Sequence, residues 1–130
     1  MAPAADFQRS ELAMSTSFLL SNMAPQRPTL NRRIWERLEV QVRDLTRDQG
    51  SVWIVTGPLF TSTQPPGYKA TIGNGRVAVP TQFFKVVLSR DSAGAFHMFA
   101  FVMPNSKNAI AGKPRDFEKT VDEVDRKSVV

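Results

Sequence analysis

At 130 residues and 42% hydrophobic content, the chain can build one domain around one modest core and has no room for a second. A formal net charge of +5 favours anionic partners, nucleic acid or an acidic membrane surface, yet no apolar run approaches the roughly 18 residues of a membrane span. Cysteine is absent, which excludes a disulfide framework and thiolate metal sites.

In chain order, residues 8–15 read as a short helical turn around Leu12, and residues 17–20 as a short apolar strand leading into Asn22. Residues 21–43 are a polar loop running into an amphipathic helix. Pro25 and Pro28 hold the loop extended, so winding is expected to begin at Leu30 and Asn31. Ile34, Leu38, Val42 and Leu45 then recur at steps of four, four and three, one apolar stripe facing a core. Beside that stripe, Asn31, Glu39 and Arg43 fall within roughly 120° of each other at about 100° per residue. Six of the seventeen basic residues lie from Arg27 to Arg47, so the positive excess is concentrated here.

Asp48, Gln49 and Gly50 end the helix, with Gly50 as its left-handed cap. Residues 51–56 form a β-branched strand that Gly57 and Pro58 are expected to break. Residues 61–69, with Pro65-Pro66-Gly67, read as an exposed loop, and Gly73-Asn74-Gly75 as a turn between strands at 68–72 and 76–79. Residues 82–89 and 95–103 are strands joined by a turn at 91–94, the centre of an antiparallel sheet. After Pro104 the chain is polar to Asp116. Thr120-Val-Asp-Glu123 is then a capping box opening a short helix, and Lys127-Ser-Val-Val130 follows it. Trp35, Phe83, Phe84, Phe96, Phe99 and Phe101 are assigned to the core. His97, the sole histidine, is read as a packed or half-exposed strand residue.

Several ordered motifs carry a resemblance: Asn22-Met-Ala-Pro-Gln26, Leu30-Asn31, Trp35, Leu38-Glu39 and Arg43, then Val55-Thr-Gly-Pro58, Val77-Ala-Val-Pro80, Phe83-Phe-Lys85 and Met103-Pro-Asn105. On these the chain resembles the DNA/RNA non-specific endonucleases, the ββα-metal or His-Me finger nucleases. The resemblance implies an α+β fold, a central antiparallel sheet with the ββα-metal helix packed beside it, with residues 1–130 as a single, partial domain. It implies metal-dependent, sequence-non-specific hydrolysis of phosphodiester bonds in DNA and RNA. A nucleic-acid-binding relative without catalysis is the alternative, and a protein-binding domain the third reading. Mg²⁺ or another divalent cation such as Mn²⁺ is the implied cofactor, and DNA and RNA are the implied partners. No membrane partner is implied, a homodimer is allowed, and the family's settings are mitochondrial, periplasmic or secreted.

In the family an Asp-Arg-Gly-His motif stands immediately before a stretch like residues 1–7, and its histidine is the general base. The expectation is therefore a chain that starts just after that motif and lacks the base, cut or altered at its C-terminus as well. For Asn31 the residues alone allow a helix cap or a metal ligand; the resemblance implies the sole protein ligand of the ion. For Glu39 they allow an ion pair with Arg43, and the resemblance adds orientation of the hydrated ion. Arg43 is implied near the scissile phosphate, where its planar fork suits phosphate oxygens. Asn22 and Gln26 are implied to shape the site through hydrogen bonds, against turn stabilisation as the plainer role. Arg27, Arg32 and Arg33, with Arg37 and Arg47, are backbone-phosphate contacts or solvated charges. No Ser/His/Asp, paired-carboxylate or Walker-type constellation is present.

Overall fold

A computed structural model describes residues 1–65, 67–107 and 112–128. The helices are α1 (Glu11–Ser17), α2 (Glu36–Gln49) and α3 (Val121–Ser128). The strands are β1 (Ser51–Leu59), β2 (Thr71–Ile72), β3 (Val77–Ala78), β4 (Gln82–Arg90), β5 (Phe96–Pro104) and β6 (Glu118–Lys119). β1, β4, β5 and β6 make one antiparallel sheet in that order, with Pro58 opposite Phe83 and Phe83 opposite Met103; β2 and β3 form a separate ribbon. The expected α+β architecture is the one observed.

Strict alternation in β4 buries Phe83, Lys85, Val87 and Ser89 on one face, as a period of two requires. Against that face packs the apolar stripe of the long helix, Leu30, Ile34, Trp35, Leu38 and Val42, with Phe101 and Met103 from β5. Trp35 meets Phe83 edge to face at 5.8 Å between ring centroids. On the other face, α3 sets Val124 against Leu59, Ala100 and Val102. Thr120 and Glu123 cap α3 reciprocally: the Glu123 N–H donates to Thr120 Oγ1 at 3.2 Å and the Thr120 N–H to Glu123 Oε2 at 3.0 Å.

The structure departs from the sequence expectations in five places. Residues 17–20 are not a strand; Ser17 ends α1 and a 3₁₀ turn follows at Leu20–Asn22. The apolar side chains there, Phe18, Leu19 and Leu20, are exposed and find no sheet to join. Winding starts at Pro28, ahead of Leu30, because proline is tolerated in the first helical turn, where its missing N–H would be unbonded anyway. β1 runs through Gly57 and Pro58 without a break. β1 is an edge strand, so Pro58 needs no donor on its outer side, and a Cβ at Gly57 would lie 2.9 Å from Cε1 of Phe84, whose ring takes that space.

The ribbon strands are two residues each, shorter than 68–72 and 76–79. Phe96 is 62% exposed and outside the core, because the first three residues of β5 lie beyond the elements that cover the sheet. Gly50 caps α2 as expected, at φ +81° with its N–H donating to Thr46 O. Pro66, residues 108–111 and residues 129–130, parts of the expected loop, polar stretch and C-terminal tail, lie outside the described residues. Among the described residues no helix is long and apolar enough to cross a membrane.

Candidate functional site

The helix carrying the candidate residues does not begin as a regular α-helix: Leu30–Trp35 is a π-helical turn, which passes into α2 at Glu36. A π turn advances by roughly 82° per residue against about 100° in an α-helix. The difference matters for alignment. In an unbroken α-helix Asn31 and Glu39 would stand about 80° apart and Asn31 would fall on the apolar stripe; through the π turn they stand about 10° apart. Leu30 takes the buried place instead, with none of its surface exposed, while Asn31 is exposed. Asn31, Glu39 and Arg43 thus share one helix edge, drawn together more closely than the sequence periodicity implies. Asn31 does not cap the helix, since it lies within it, and its side chain makes no hydrogen bond among the described residues.

Below Asn31 on that edge, charges alternate. Asp6 Oδ1 accepts from Arg43 Nε at 2.5 Å, Arg43 stands 3.9 Å from Glu39 Oε2, and Glu39 Oε1 stands 4.0 Å from Lys85 Nζ. Lys85 is 2% exposed and its ammonium lies 4.9 Å from the centre of the Trp35 ring. Burial pushes the Glu39 carboxyl above its ordinary value, although Lys85, Arg43 and a hydrogen bond from Trp35 pull it down. Burial likewise lowers Lys85, against the pull of Glu39 and Asp6. Both shifts favour neutrality. At 3.9 and 4.0 Å neither cation makes a direct hydrogen bond to the carboxylate, so the attraction does not offset desolvation. Glu39 therefore retains acceptor capacity toward the exposed edge.

The linkage has a definite sign. A carboxyl raised on folding contributes stability that is complete below the unfolded value and is lost as pH rises through the folded one. A lysine lowered on folding contributes stability that is complete above the unfolded value and is lost as pH falls through the folded one. Near neutrality the chain therefore bears both costs. Lys85→Met removes the larger of the two charges pulling Glu39 down, so the Glu39 carboxyl is expected to titrate still higher in a ¹³C-detected NMR titration. A Glu39 titration that stays put or moves down would show that Lys85 does not act on it.

Two loops converge on this edge. Asn22 accepts from the Ala2 N–H at 2.6 Å and spends both amide hydrogens, on Ala2 O and Ser17 O at 2.8 Å each, which pins the N-terminal segment bearing Asp6. Asn105, 1% exposed, ties the loop before the helix to the sheet. Its Oδ1 accepts from the Arg27 N–H at 2.7 Å, and its Nδ2 donates to Pro25 O at 3.1 Å and Pro80 O at 2.9 Å. Thr29 Oγ1 adds a bond to Ser106 O at 3.2 Å. Gln26 Nε2 is buried without a partner among the described residues.

The basic residues divide. Arg27 donates to Gly67 O and Arg47 pairs with Asp44, whereas Arg32 and Arg33 project beside Arg37 on the outer helix surface. His97 pairs with Asp91 at 2.8 Å within its own hairpin, as a half-exposed strand residue. Lys85 and Asn105 are the two site residues that motif reading left without a role. The alternation of Phe83, Lys85 and Val87 does carry a signal for the first, because it puts a lysine on the core-facing register. For Asn105 no local signal exists, since its partners are about 25 to 80 residues away.

Among the described residues no group of three or more His, Cys, Asp or Glu side chains is placed to hold a metal ion. A centre built wholly of protein ligands is thus not offered. The donor set of one free neutral amide oxygen with a carboxylate on the same edge fits a hard divalent ion that keeps most of its waters.

The family described as DNA/RNA non-specific endonuclease matches residues 1–128. The chain is 38% identical over 135 residues to the mitochondrial nuclease EXOG of Danio rerio, covering 98% of this chain and 39% of that protein. It is 38% identical over 133 residues to mitochondrial endonuclease G of Bos taurus, covering 98% and 44%, and 37% identical over 138 residues to the mitochondrial nuclease of Saccharomyces cerevisiae, covering 96% and 42%. A crystal structure of an EndoG/EndoGI complex superposes with a TM-score of 0.86 at 34% identity, over 98% of this chain and 54% of that one. The chain therefore spans about two fifths of the length of these curated relatives.

Proposed function

Since this chain belongs to the DNA/RNA non-specific endonuclease family, we propose that it carries the metal- and phosphate-holding part of a divalent-metal-dependent nuclease. The reaction is hydrolysis of phosphodiester bonds in DNA and RNA without sequence preference. The observation that supports this reading best is the shared helix edge, where the free Asn31 carboxamide stands in line with Glu39, which has Arg43 beside it at 3.9 Å. Asn31 holds the ion, Mg²⁺ or Mn²⁺, through its amide oxygen. The ion supplies charge neutralisation at the phosphate and at the leaving oxygen. Glu39, weakly paired inside the protein, orients what binds at Asn31, and the Lys85 ammonium favours its charged form against the effect of burial.

Arg43 is held by Asp6 through Nε, which leaves its terminal nitrogens for a phosphate oxygen. Asn22 acts as a positioning residue, because its amide is committed to Ala2 and Ser17. Arg32 and Arg33 add sequence-independent attraction for the phosphate backbone, and Arg27 contributes by fixing the loop through Gly67. The mitochondrial names of the relatives make a mitochondrial setting the reading for this protein.

Nicking of plasmid DNA and cleavage of single-stranded RNA by the protein that carries this chain test the assignment. Cleavage of both, at many positions, with Mg²⁺ and loss of it on chelation is the expected result. His97→Ala is expected to leave the rate within about twofold, because that ring is engaged by Asp91. Metal-independent cleavage would overturn the reading, and loss of activity in His97→Ala would make that histidine the proton acceptor.

A further inference from the structure

A cleft lies on the far flank of the long helix. It is an open cleft of about 520 Å³, lined by Arg32, Arg33 and Arg37 from the helix, with Glu36 and Gln41, and by Pro114 from the 3₁₀ turn ahead of β6. With the π turn counted, Arg33 and Arg37 lie on one line along the helix, about 160° around it from Asn31 and Glu39. Arg33 and Arg37 thus face away from the candidate metal edge, with Arg32, about 80° from Asn31, between the two. Its charge is unbalanced. Arg43 is paired with Asp6, Arg47 with Asp44, Arg27 donates to Gly67 O, and Arg126 to Asp122 O. Arg32, Arg33 and Arg37 make no ion pair or hydrogen bond among the described residues, and Glu36 is the one carboxylate lining the cleft with them.

Like charges one helical turn apart, such as Arg33 and Arg37, destabilise a helix unless an anion lies between them. Guanidinium groups present planar donor forks that match phosphate oxygens. Val40 and Pro114 add an apolar wall.

We propose that this cleft binds the phosphate backbone of a nucleic acid at a second site, away from the bond that is cut, and so holds the substrate on the protein. The inference rests on the nucleic-acid reading above. It predicts an effect on affinity and salt dependence and none on the metal edge.

Fluorescence anisotropy of the chain with a labelled DNA oligonucleotide at several salt concentrations is the test, with circular dichroism to confirm folding. Replacing Arg32, Arg33 and Arg37 together by alanine is expected to weaken binding more than tenfold at low salt. It should also flatten the slope of log K against log salt by about three, since each phosphate contact contributes roughly 0.9. The same three positions changed to lysine should keep most of the slope. Arg76, Arg90 and Arg126 changed together to alanine remove the same charge elsewhere and should leave the slope nearly intact. Equal losses in the cleft variant and this control, or wild-type binding by the cleft variant, overturn the cleft while the nucleic-acid reading stands. If the unaltered chain itself shows no salt-dependent binding, the nucleic-acid reading fails and the cleft assignment fails with it.

Discussion

Asn31→Ala is expected to lower Mg²⁺-dependent plasmid nicking, by the protein that carries this chain, by about a thousandfold while leaving its circular dichroism and melting unchanged. A metal ion that polarises a phosphoryl oxygen supplies several kcal/mol of transition-state stabilisation, and each 1.36 kcal/mol is about tenfold in rate. Asn31 offers the one uncommitted neutral oxygen on the helix edge, so its loss removes the protein's direct hold on the ion. The fold should not notice, because the side chain is exposed and bonds to nothing among the described residues. Asn31→Asp separates ligation from shape: it keeps an oxygen and adds charge, so it should bind Mn²⁺ more tightly than the alanine variant in an electron-spin resonance titration. Nicking by a folded Asn31→Ala variant within tenfold of the unaltered protein would remove Asn31 from the metal.

The second large effect concerns stability. Asn105→Ala is expected to cost about 3 kcal/mol in urea denaturation, because three buried or partly buried backbone groups lose a partner at roughly 1 kcal/mol each. Those groups are the N–H of Arg27 and the carbonyls of Pro25 and Pro80. Asn105→Asp should do no better at neutral pH. A carboxylate can still accept from Arg27 but would face two carbonyl oxygens to which it can donate nothing. Lowering the pH protonates the carboxyl and should recover part of the loss. Since the same bonds fix the loop that enters the helix, faster amide exchange at Arg27 should accompany the destabilisation. A cost under about 1 kcal/mol in Asn105→Ala would mean that Thr29 and Ser106 alone hold this loop.

These two asparagines show what a sequence exposes and what it hides. Asn31 was visible because a motif surrounds it and because an amide at the start of an amphipathic helix is conspicuous. Its alignment with Glu39 was not visible. The π turn that produces it depends on burying Leu30, Ile34 and Trp35 together, and periodicity within the segment cannot reveal that constraint. Residues 17–20 misled for a related reason. Four residues with three large apolar side chains read as a strand, but a strand exists only where its backbone pairs with a neighbour, and this segment, held in the end of α1 and a 3₁₀ turn, pairs with neither edge strand, β1 nor β6. Pro58 misled in the opposite sense, because whether a proline breaks a strand depends on whether the missing donor faces a neighbour, which is a property of the sheet.

The sequence by itself determined the family, the α+β class, the long amphipathic helix, the central hairpin of β4 and β5, the cap at Gly50 and the capping box at Thr120. All of these are written in local spacing or in ordered motifs, where residues a few positions apart make the decision. Only the tertiary structure decided how far Asn31 turns toward Glu39, that Lys85 is buried beside Trp35, that Asn105 joins three distant segments, and that Arg27 and Arg47 are engaged while Arg32, Arg33 and Arg37 are left free among the described residues. Each of those depends on which backbone and side-chain groups meet across long stretches of chain, and on the burial that sets the strength of the charges among them. Neither is a property of any short stretch.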